Sequence, residues 1–236
     1  MQLIIFAGGL GTRISEETDY IPKPMIKIGQ KPILWHIIKY YSMFGFSEFI
    51  ICGGYKIEII KKYFKNYNKN KIWNIRVIDT GKKSNTGERL KRVKKYVKNT
   101  FCLTYGDGLS NVDLNKLIRF HKKTKSLATL TTVKPTPRFG KIIFKGNQVV
   151  KFLEKDQKKE SWINAGFFVC EKKIFNYLKK QNTIFEKDTL SVLAKKKKLS
   201  AYKHNDFWYC MDTLRDKRYL NNLWLSKKAP WKIWDE

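Results

Sequence analysis

Short apolar runs alternate with amphipathic segments through the first two thirds of the chain, and this alternation restricts the fold more than any other feature. The predicted strands are residues 3–6, 48–52, 73–79, 101–105 and 128–133, and the first of them is a continuous apolar run, typical of a strand buried on both faces of a sheet. The segments between them show helical spacing of apolar residues at 32–41, 57–64, 87–97 and 114–124. This βα alternation predicts an α/β fold with a mixed, mostly parallel sheet and helices on both of its faces.

The alternation ends after Pro135, and the remaining segments predict antiparallel pairing and two more helices. The predicted strands are residues 140–144, 149–154, 163–170 and 199–204, and the predicted helices are residues 188–195 and 213–225. The first two of these strands form a hairpin, because Gly146 and Asn147 lie between them. No linker or internal repeat separates these parts, so the sequence predicts a single domain over residues 1–236 with a small antiparallel elaboration.

The chain carries a large excess of positive charge. Its 49 lysine and arginine residues against 20 aspartate and glutamate residues give a formal net charge of +29, so nucleic-acid binding has to be considered. Only eight of the basic residues are arginine, however, and the lysines are scattered along almost every predicted helix. This distribution favours a solvated surface over a dedicated nucleic-acid track, and the positive field favours anionic substrates such as nucleotides and sugar phosphates.

No segment of the sequence has the pattern of a membrane span or a secretion signal. No apolar run approaches the roughly 18–20 residues required to cross a bilayer, and residues 1–7 lack a basic segment before their short apolar run. Cys52, Cys102, Cys170 and Cys210 are far apart and have no zinc-binding spacing. We therefore expect a cytoplasmic protein with reduced core cysteines, no membrane partner and no metal site made from histidine and cysteine.

A glycine-rich loop follows the first predicted strand and is the first candidate binding site. It contains Gly8, Gly9 and Gly11, and Thr12 and Arg13 come directly after it. Glycines let the backbone approach a ligand closely and direct its N–H groups at phosphate oxygens, and an arginine guanidinium binds phosphate as well. The loop matches neither GxGxxG nor GxxxxGK(S/T), so the sequence predicts a phosphate-binding loop of a different kind.

Three charged residues are further candidates for binding phosphate or metal. Lys23 lies between Pro22 and Pro24, which stiffen the backbone and hold its ammonium in position to bind a phosphoryl group. Asp107 follows a predicted strand and lies between two glycines, at the strand end where open α/β sheets bind ligands, and its carboxylate suits Mg²⁺. Asp212 is either a second carboxylate ligand or the N-cap of the last predicted helix, and the residues alone leave both alternatives open.

Several motifs together resemble the sugar-1-phosphate nucleotidyltransferase family. The motifs shared with the family as a whole are AGGLGTR at 7–13, PKP at 22–24, YGDG at 105–108 and EK at 154–155. The match is closest to the glucose-1-phosphate cytidylyltransferase branch, which the chain resembles at residues 15–18, 29–37, 86–87, 89–92, 138–140, 164–168, 211–217, 229–232 and 234. The resemblance covers essentially the whole chain in order.

The resemblance implies a fold and a reaction. The implied fold is a Rossmann-like three-layer α/β/α sandwich, in which residues 1–134 bind the nucleotide and residues 135–236 bind the sugar phosphate. The implied reaction is Mg²⁺-dependent transfer of a nucleotidyl group from CTP to glucose 1-phosphate, or from UTP, dTTP or GTP in a related enzyme. The alternative from another class is a basic nucleic-acid-binding protein with a vestigial nucleotide pocket.

Individual roles follow from the same resemblance. The implied nucleotide-binding residues are Phe6, Ala7, Gly8, Gly9, Leu10, Gly11, Thr12, Arg13, Lys23, Thr86, Arg89 and Asp107. The residues implied to surround the sugar phosphate are Gly140, Glu154, Lys155 and Asn164. Arg13, Lys23 and Asp107 would be catalytic. Asp107 and Asp212 would hold Mg²⁺, which favours the metal-ligand alternative for Asp212. Arg89 offers donors that suit the O2 and N3 acceptors of cytosine, so we expect it to select the base.

Two departures from the family pattern affect these expectations. Residues 65–74 form a shorter segment than in typical cytidylyltransferases, where an extension lies near subunit contacts, so the subunit number of a homo-oligomer stays open. The usual EKP motif is Glu154-Lys155-Asp156 here, which loses a stiffening proline and keeps the charged pair.

Overall fold

The computed structural model describes residues 1–69, 73–135, 140–154, 161–179 and 181–235. Within these ranges the strands are β1 (Gln2–Ala7), β2 (Lys27–Ile28), β3 (Lys31–Pro32), β4 (Glu48–Gly53), β5 (Asn74–Asp79), β6 (Thr100–Tyr105), β7 (Gly108–Ser110), β8 (Ala128–Val133), β9 (Lys141–Lys145), β10 (Gln148–Leu153), β11 (Ile163–Glu171), β12 (Leu199–Lys203) and β13 (Trp208–Cys210). The α-helices are α1 (Ser15–Thr18), α2 (Ile33–Ser42), α3 (Ile57–Lys69), α4 (Thr86–Arg92), α5 (Leu114–Thr124), α6 (Ser191–Lys195) and α7 (Leu214–Leu225), and a π-helix covers Phe185–Leu190.

A seven-stranded sheet forms the centre of the fold, in the order β12-β8-β11-β6-β1-β4-β5. Strands β6, β1, β4 and β5 are parallel, β11 is antiparallel to both of its neighbours, and β12 is parallel to β8. The predicted mixed, mostly parallel sheet is therefore confirmed. The sheet contains strands from both predicted halves of the chain, and the division at residue 134 stays a prediction.

Helices cover both faces of this sheet, and β1 shows how. Leu3 and Ile5 pack into the core formed with α2, α3, α5 and α7, whereas Ile4 and Phe6 pack into the core formed with α4, the π-helix and α6. Successive side chains of a strand point to opposite faces, so a strand with a core on each side must be apolar at every position. This explains why β1 is a continuous apolar run, and it confirms the predicted three-layer sandwich.

The small antiparallel elements lie outside the central sheet. Strands β9 and β10 form the predicted hairpin, and the two short pairs β2–β3 and β7–β13 complete the antiparallel part. The sequence did not indicate β7 and β13, which are three residues long and are joined across about a hundred residues of chain. The pairing of β7 with β13 brings the C-terminal part of the chain to the end of β6.

Two predicted helices differ from the observed elements. The predicted helix at 87–97 ends at Arg92, with Val93 as its C-cap at φ −95° and ψ 0°, and a separate 3-10 turn follows at Lys94–Tyr96. The predicted helix near 188–195 is α6 preceded by the π-helix, a rare element that apolar spacing does not identify. Within the described ranges, no helix has both the length and the apolar character needed to cross a membrane.

Candidate active site

A cavity of about 430 Å³ lies at the carboxyl ends of β1 and β6. This edge of a parallel sheet is where open α/β folds bind ligands. The predicted residues that line the cavity are Phe6, Ala7, Gly8, Gly9, Gly11, Thr12, Arg13, Lys23, Thr86, Arg89, Asp107 and Asp212. Residues that lie some 200 positions apart in the sequence, from the glycine loop to Asp212, thus meet in one place.

Other predicted residues lie outside this lining. Leu10 is 47% exposed at the tip of the glycine loop. Gly140 and Glu154 are neighbours at the β9–β10 hairpin, where a Cβ on Gly140 would lie 3.1 Å from the Glu154 Oε2. Asn164 is connected to the cavity through a hydrogen bond from its Nδ2 to the Tyr105 hydroxyl at 3.2 Å. Lys155 lies outside the described residues.

The shape of the glycine loop depends on the backbone of Gly11. Its φ of 71° is in the left-handed region, and its carbonyl accepts from the Ile14 N–H at 3.0 Å to begin a 3-10 turn. A Cβ at this position would lie 2.7 Å from the Thr18 Cγ2, closer than carbon atoms approach without displacement. The Thr18 hydroxyl also donates to the Gly11 carbonyl at 3.2 Å. These contacts fix the loop so that Thr12 and Arg13 lie at the mouth of the cavity.

Arg89 lies directly beneath the glycine loop and is only 4% exposed. Its Nη2 donates to the carbonyls of Gly8 at 2.8 Å and Lys82 at 3.4 Å, and its Nη1 donates to the Thr80 hydroxyl at 2.8 Å and the Gly53 carbonyl at 3.1 Å. A Cβ on Gly8 would lie 2.0 Å from the Arg89 Nη1, so only glycine fits there. Burial lowers the pKa of Arg89.

The predicted contact of Arg89 with the base competes with these hydrogen bonds. Both terminal nitrogens of its guanidinium donate to protein oxygens, so a contact with the O2 and N3 acceptors of cytosine would replace one of these partners or use the Nε–H. Arg89 connects the glycine loop to the end of β4 and to the segment after β5. It holds the loop in position beside the cavity.

Lys23 bridges two carboxylates at the floor of the cavity. Its Nζ lies 2.6 Å from the Asp107 Oδ2 and 2.6 Å from the Asp212 Oδ1. The Arg13 Nη1 lies 2.7 Å from the second oxygen of Asp212. Burial acts to lower the pKa of Lys23, but attraction to Asp107, together with the hydrogen bonds to both carboxylates, raises it overall. Lys23 is therefore held as a cation next to the glycine loop.

Asp107, Cys210 and Asp212 form a group of side chains that fits a divalent cation. Among the described residues, one donor atom from each of these three side chains lies within 4.8 Å of the other two. Two carboxylate oxygens are suitable ligands for Mg²⁺ or a similar ion. Burial and the nearby carboxylates raise the pKa of the Cys210 thiol. The sequence did not indicate Cys210, because its proximity to Asp107 arises only from the pairing of β13 with β7.

The N-cap alternative for Asp212 is wrong, because the residue after it caps α7. The Thr213 hydroxyl accepts from the Asp216 N–H at 3.3 Å, and Asp216 Oδ2 accepts from the Thr213 N–H at 2.8 Å, which is a capping box. Asp216 Oδ2 also accepts from the Asp212 N–H at 3.0 Å. The carboxylate of Asp212 is consequently directed toward Lys23 and Arg13 rather than toward the helix.

Glu186, on the π-helix, is a cavity residue that the sequence did not indicate. Its Oε1 accepts from the Tyr105 hydroxyl at 2.5 Å, and its Oε2 accepts from the Thr86 hydroxyl at 2.7 Å. The Thr86 hydroxyl accepts in turn from the Phe185 N–H at 2.9 Å. Burial and the Glu186 carboxylate raise the pKa of Tyr105. With Asn164 bonded to Tyr105, this network connects the two predicted halves of the chain across the cavity.

Proteins of similar sequence are nucleotidyltransferases. A sequence profile described as "Nucleotidyl transferase" matches residues 2–221. Glucose-1-phosphate cytidylyltransferase of Salmonella typhimurium (strain LT2) is 46% identical over 257 residues, which cover all of both chains. D-glycero-alpha-D-manno-heptose 1-phosphate guanylyltransferase of Campylobacter jejuni is 34% identical over 211 residues, covering 88% of this chain and 93% of the relative.

A solved structure shares the fold at low sequence identity. A crystal structure of UDP-glucose pyrophosphorylase complexed with UDP-glucose superposes with a TM-score of 0.73 at 18% identity. The match covers 96% of this chain and 98% of the other. This likeness supports the Rossmann-like sandwich.

Proposed function

The chain belongs to the nucleotidyl transferase family, and we propose that it transfers a cytidylyl group from CTP to glucose 1-phosphate, giving CDP-glucose and pyrophosphate. The observation that carries the proposal is the Lys23 ammonium held between Asp107 and Asp212 beside the glycine loop. Such a site binds phosphate oxygens through cations and backbone N–H groups, and it offers two carboxylates for a divalent ion. The full-length likeness to a cytidylyltransferase supports this substrate pair.

The proposed chemistry is a single in-line displacement. A phosphate oxygen of the sugar 1-phosphate attacks the α-phosphorus of the nucleoside triphosphate, and pyrophosphate leaves. The attacking phosphate is already anionic near neutral pH, so the reaction needs no nucleophile from the protein. The contribution of the protein is to position both substrates and to neutralise charge.

Residues of the cavity are proposed to position the substrates and to neutralise their charge. Lys23 and Arg13 bind phosphate oxygens and counter the negative charge that develops on the leaving pyrophosphate, and the loop from Gly8 to Thr12 directs backbone N–H groups at the nucleotide. Asp107 and Asp212 would hold Mg²⁺, which supplies positive charge to the phosphates when it is bound. Because Lys23 bridges the same two carboxylates, the ammonium and a metal ion compete for them.

The sugar phosphate is proposed to bind on the side of the cavity toward the β9–β10 hairpin. Gly140, Glu154, Lys155 and Asn164 are the residues proposed to surround it. Asn164 is connected to the cavity through Tyr105, and Gly140 is adjacent to Glu154. We also propose that the enzyme acts in the cytoplasm, in keeping with its four free cysteines.

The alternative of a nucleic-acid-binding protein has less support. Binding of single strands without sequence preference uses exposed aromatic side chains on which bases stack. Tyr40 and Tyr41 are 3% and 0% exposed, so these two rings belong to the core. In this proposal the large positive charge of the chain produces an electrostatic field that attracts anionic small molecules.

The wild-type protein is expected to prefer CTP over UTP by at least about tenfold in kcat/KM. Cytosine presents an amino donor and a ring acceptor where uracil presents a carbonyl and an N–H, so the wrong base leaves buried groups unpaired. Each unpaired group costs about 1–3 kcal/mol, and about 1.4 kcal/mol is a factor of ten. We propose that the base is contacted by the polar residues Ser84, Asn85 and Thr86, which line the same cavity as the glycine loop.

Pyrophosphate release from CTP, UTP, dTTP and GTP, each with glucose 1-phosphate and Mg²⁺, measures this preference. A preference for UTP or dTTP would replace the cytidylyltransferase proposal with a related transferase. Absence of turnover with all four, together with salt-sensitive binding to generic RNA, would favour the nucleic-acid alternative.

Glu186→Gln is expected to lower kcat/KM by about tenfold to a hundredfold. The amide has one carbonyl oxygen, so the hydroxyls of Tyr105 and Thr86 can no longer both donate to an anionic partner. A hydrogen bond to a charged group contributes about 1.5–3 kcal/mol, and both hydroxyls belong to residues that line the cavity. Steady-state kinetics with both substrates tests this role.

Glu171→Gln is the matched control for this variant. The Glu171 Oε1 accepts a hydrogen bond from the Thr100 hydroxyl at 2.9 Å and lies 3.1 Å from the His121 Nε2. It lies at the far end of β11 from Asn164, roughly 20 Å away at about 3.3 Å per residue. We expect the control to alter thermal stability and to leave kcat/KM unchanged. Equal losses of kcat/KM in both variants would contradict a positioning role for Glu186.

A further inference from the structure

Cys210 differs from the other three cysteines in its surroundings. Cys52, Cys102 and Cys170 are fully buried, where a thiol acts as a small apolar group. Cys210 is only partly buried, and its thiol hydrogen-bonds to the carboxylate of Asp107. It is therefore a sulfur donor next to the two carboxylates of the proposed active site.

The fold holds Cys210 in this position from two directions. Cys210 pairs with Gly108 across the β7–β13 ribbon, and the Met211 N–H donates to the Asp107 carbonyl at 2.9 Å. In an extended segment, side chains two residues apart point the same way, so Cys210 and Asp212 lie on one side of the chain. Asp107 approaches from the other strand of the ribbon. The three donor atoms consequently converge within 4.8 Å of one another.

The donors are close enough to share one ion. Zinc binds sulfur at about 2.3 Å and carboxylate oxygen at about 2.0–2.2 Å, so two ligands on a tetrahedral ion are about 3.5 Å apart. Separations of up to 4.8 Å between the three donor atoms close to this value with small rotations of the side chains. The opposing cation is the Lys23 ammonium, which a metal ion would displace from both carboxylates.

We propose that Cys210 is a third ligand at the Asp107–Asp212 site, and that the site therefore also binds thiophilic divalent ions such as Zn²⁺ and Cd²⁺. Two carboxylate oxygens alone suit Mg²⁺, whereas a sulfur ligand selects softer ions. Coordination breaks the S–H bond and forms a sulfur–metal bond, and the proton leaves to the buffer without any change of oxidation state. The inference rests on the proposed function only in using the same two carboxylates.

Titration of the full-length, nucleotide-free protein with Cd²⁺ tests this inference directly. The wild type should develop the ultraviolet charge-transfer band of a thiolate–cadmium bond at one equivalent of metal. Cys210→Ser should lose the band although it retains the other three cysteines. Asp212→Asn keeps the thiol and should require at least about tenfold more Cd²⁺ for half-saturation, a loss that even outer-shell partners of a metal site produce.

Two results would overturn the inference. One is the absence of the band in the wild type, or its persistence in Cys210→Ser. The other is an unchanged Cd²⁺ affinity in Asp212→Asn, since the thiol would then bind metal without the carboxylates. Near-ultraviolet circular dichroism verifies that each variant is folded, and Asp107→Asn provides a second carboxylate variant with the same expected loss of affinity.

The outcome is separable from that of the proposed function. Cd²⁺ binding is measured without nucleotide, whereas the proposed function is tested by pyrophosphate release from CTP in Mg²⁺. Turnover of CTP without a cadmium band would refute the role of Cys210 alone. A cadmium band without turnover of any triphosphate would refute the proposed reaction and leave the three-ligand site in place.

Discussion

Asp107→Asn is expected to lower kcat by about a hundredfold to a thousandfold. This loss is typical when one group that stabilises transition-state charge is removed. The amide has nearly the same shape as the carboxylate but carries no charge. It weakens the hold on Lys23, whose Nζ lies 2.6 Å from the Asp107 Oδ2, and it removes one of the two proposed carboxylate ligands of Mg²⁺. Pyrophosphate release at several Mg²⁺ concentrations measures both effects.

The fold of this variant should be unaffected. Asp107 is partly exposed at the end of β6, so its substitution leaves the core intact. Asp113→Asn is a matched control, since Asp113 is the N-cap of α5, where its side chain accepts from the Lys116 N–H at 2.9 Å, and asparagine caps equally well. Unchanged turnover of Asp107→Asn in Mg²⁺-containing buffer would contradict the assignment of Asp107.

The strands that line this site were predictable because burial on both faces leaves a strong pattern. β1, β4 and β6 each contain at least three consecutive apolar residues, since each lies inside the sheet with a core on both sides. The ends of β1 and β6 then place the glycine loop and Asp107 at one edge. Their proximity follows from parallel pairing alone.

Contacts between segments that are far apart in the sequence were not predictable in the same way. Glu186 meets Thr86 across a hundred residues, on a π-helix that apolar periodicity does not identify. Cys210 reaches Asp107 through a three-residue ribbon whose strands are too short to show alternation. In both cases the residue type suggests a core or surface position, and only the tertiary pairing brings it to the cavity.

Arg89 shows that a predicted location at the cavity does not by itself define a role. The sequence placed it at the cavity, and the side chain does line it. Its donors, however, are directed by the carbonyls of Gly8 and Gly53, which lie 81 and 36 residues away in the chain. The orientation of these backbone groups has no signature in the sequence. A contact with the base and the observed contact with the loop therefore predict different results for one substitution.

Arg89→Ala is expected to destabilise the protein and to lower kcat/KM for CTP and UTP by the same factor. Removal of the guanidinium takes a charged donor from the Gly8 and Gly53 carbonyls and from the Thr80 hydroxyl, although the Gly53 carbonyl still accepts from the N–H and hydroxyl of Thr80. A hydrogen bond to a charged group contributes about 1.5–3 kcal/mol, and relaxation around the vacated space limits the total loss to about 2–4 kcal/mol. For a chain of this length, each kcal/mol lowers Tm by about 2–4 °C.

Equal losses with the two triphosphates distinguish this role from base selection. If Arg89 holds the glycine loop, its removal moves the phosphate-binding backbone, which both substrates use, and the CTP-to-UTP ratio of kcat/KM stays constant. Arg92→Ala is the matched control, because Arg92 is exposed near the end of the same helix and should leave kcat/KM unchanged. A smaller CTP-to-UTP ratio of kcat/KM in Arg89→Ala, without a loss of Tm, would support a contact of Arg89 with the base. It would contradict the positioning role.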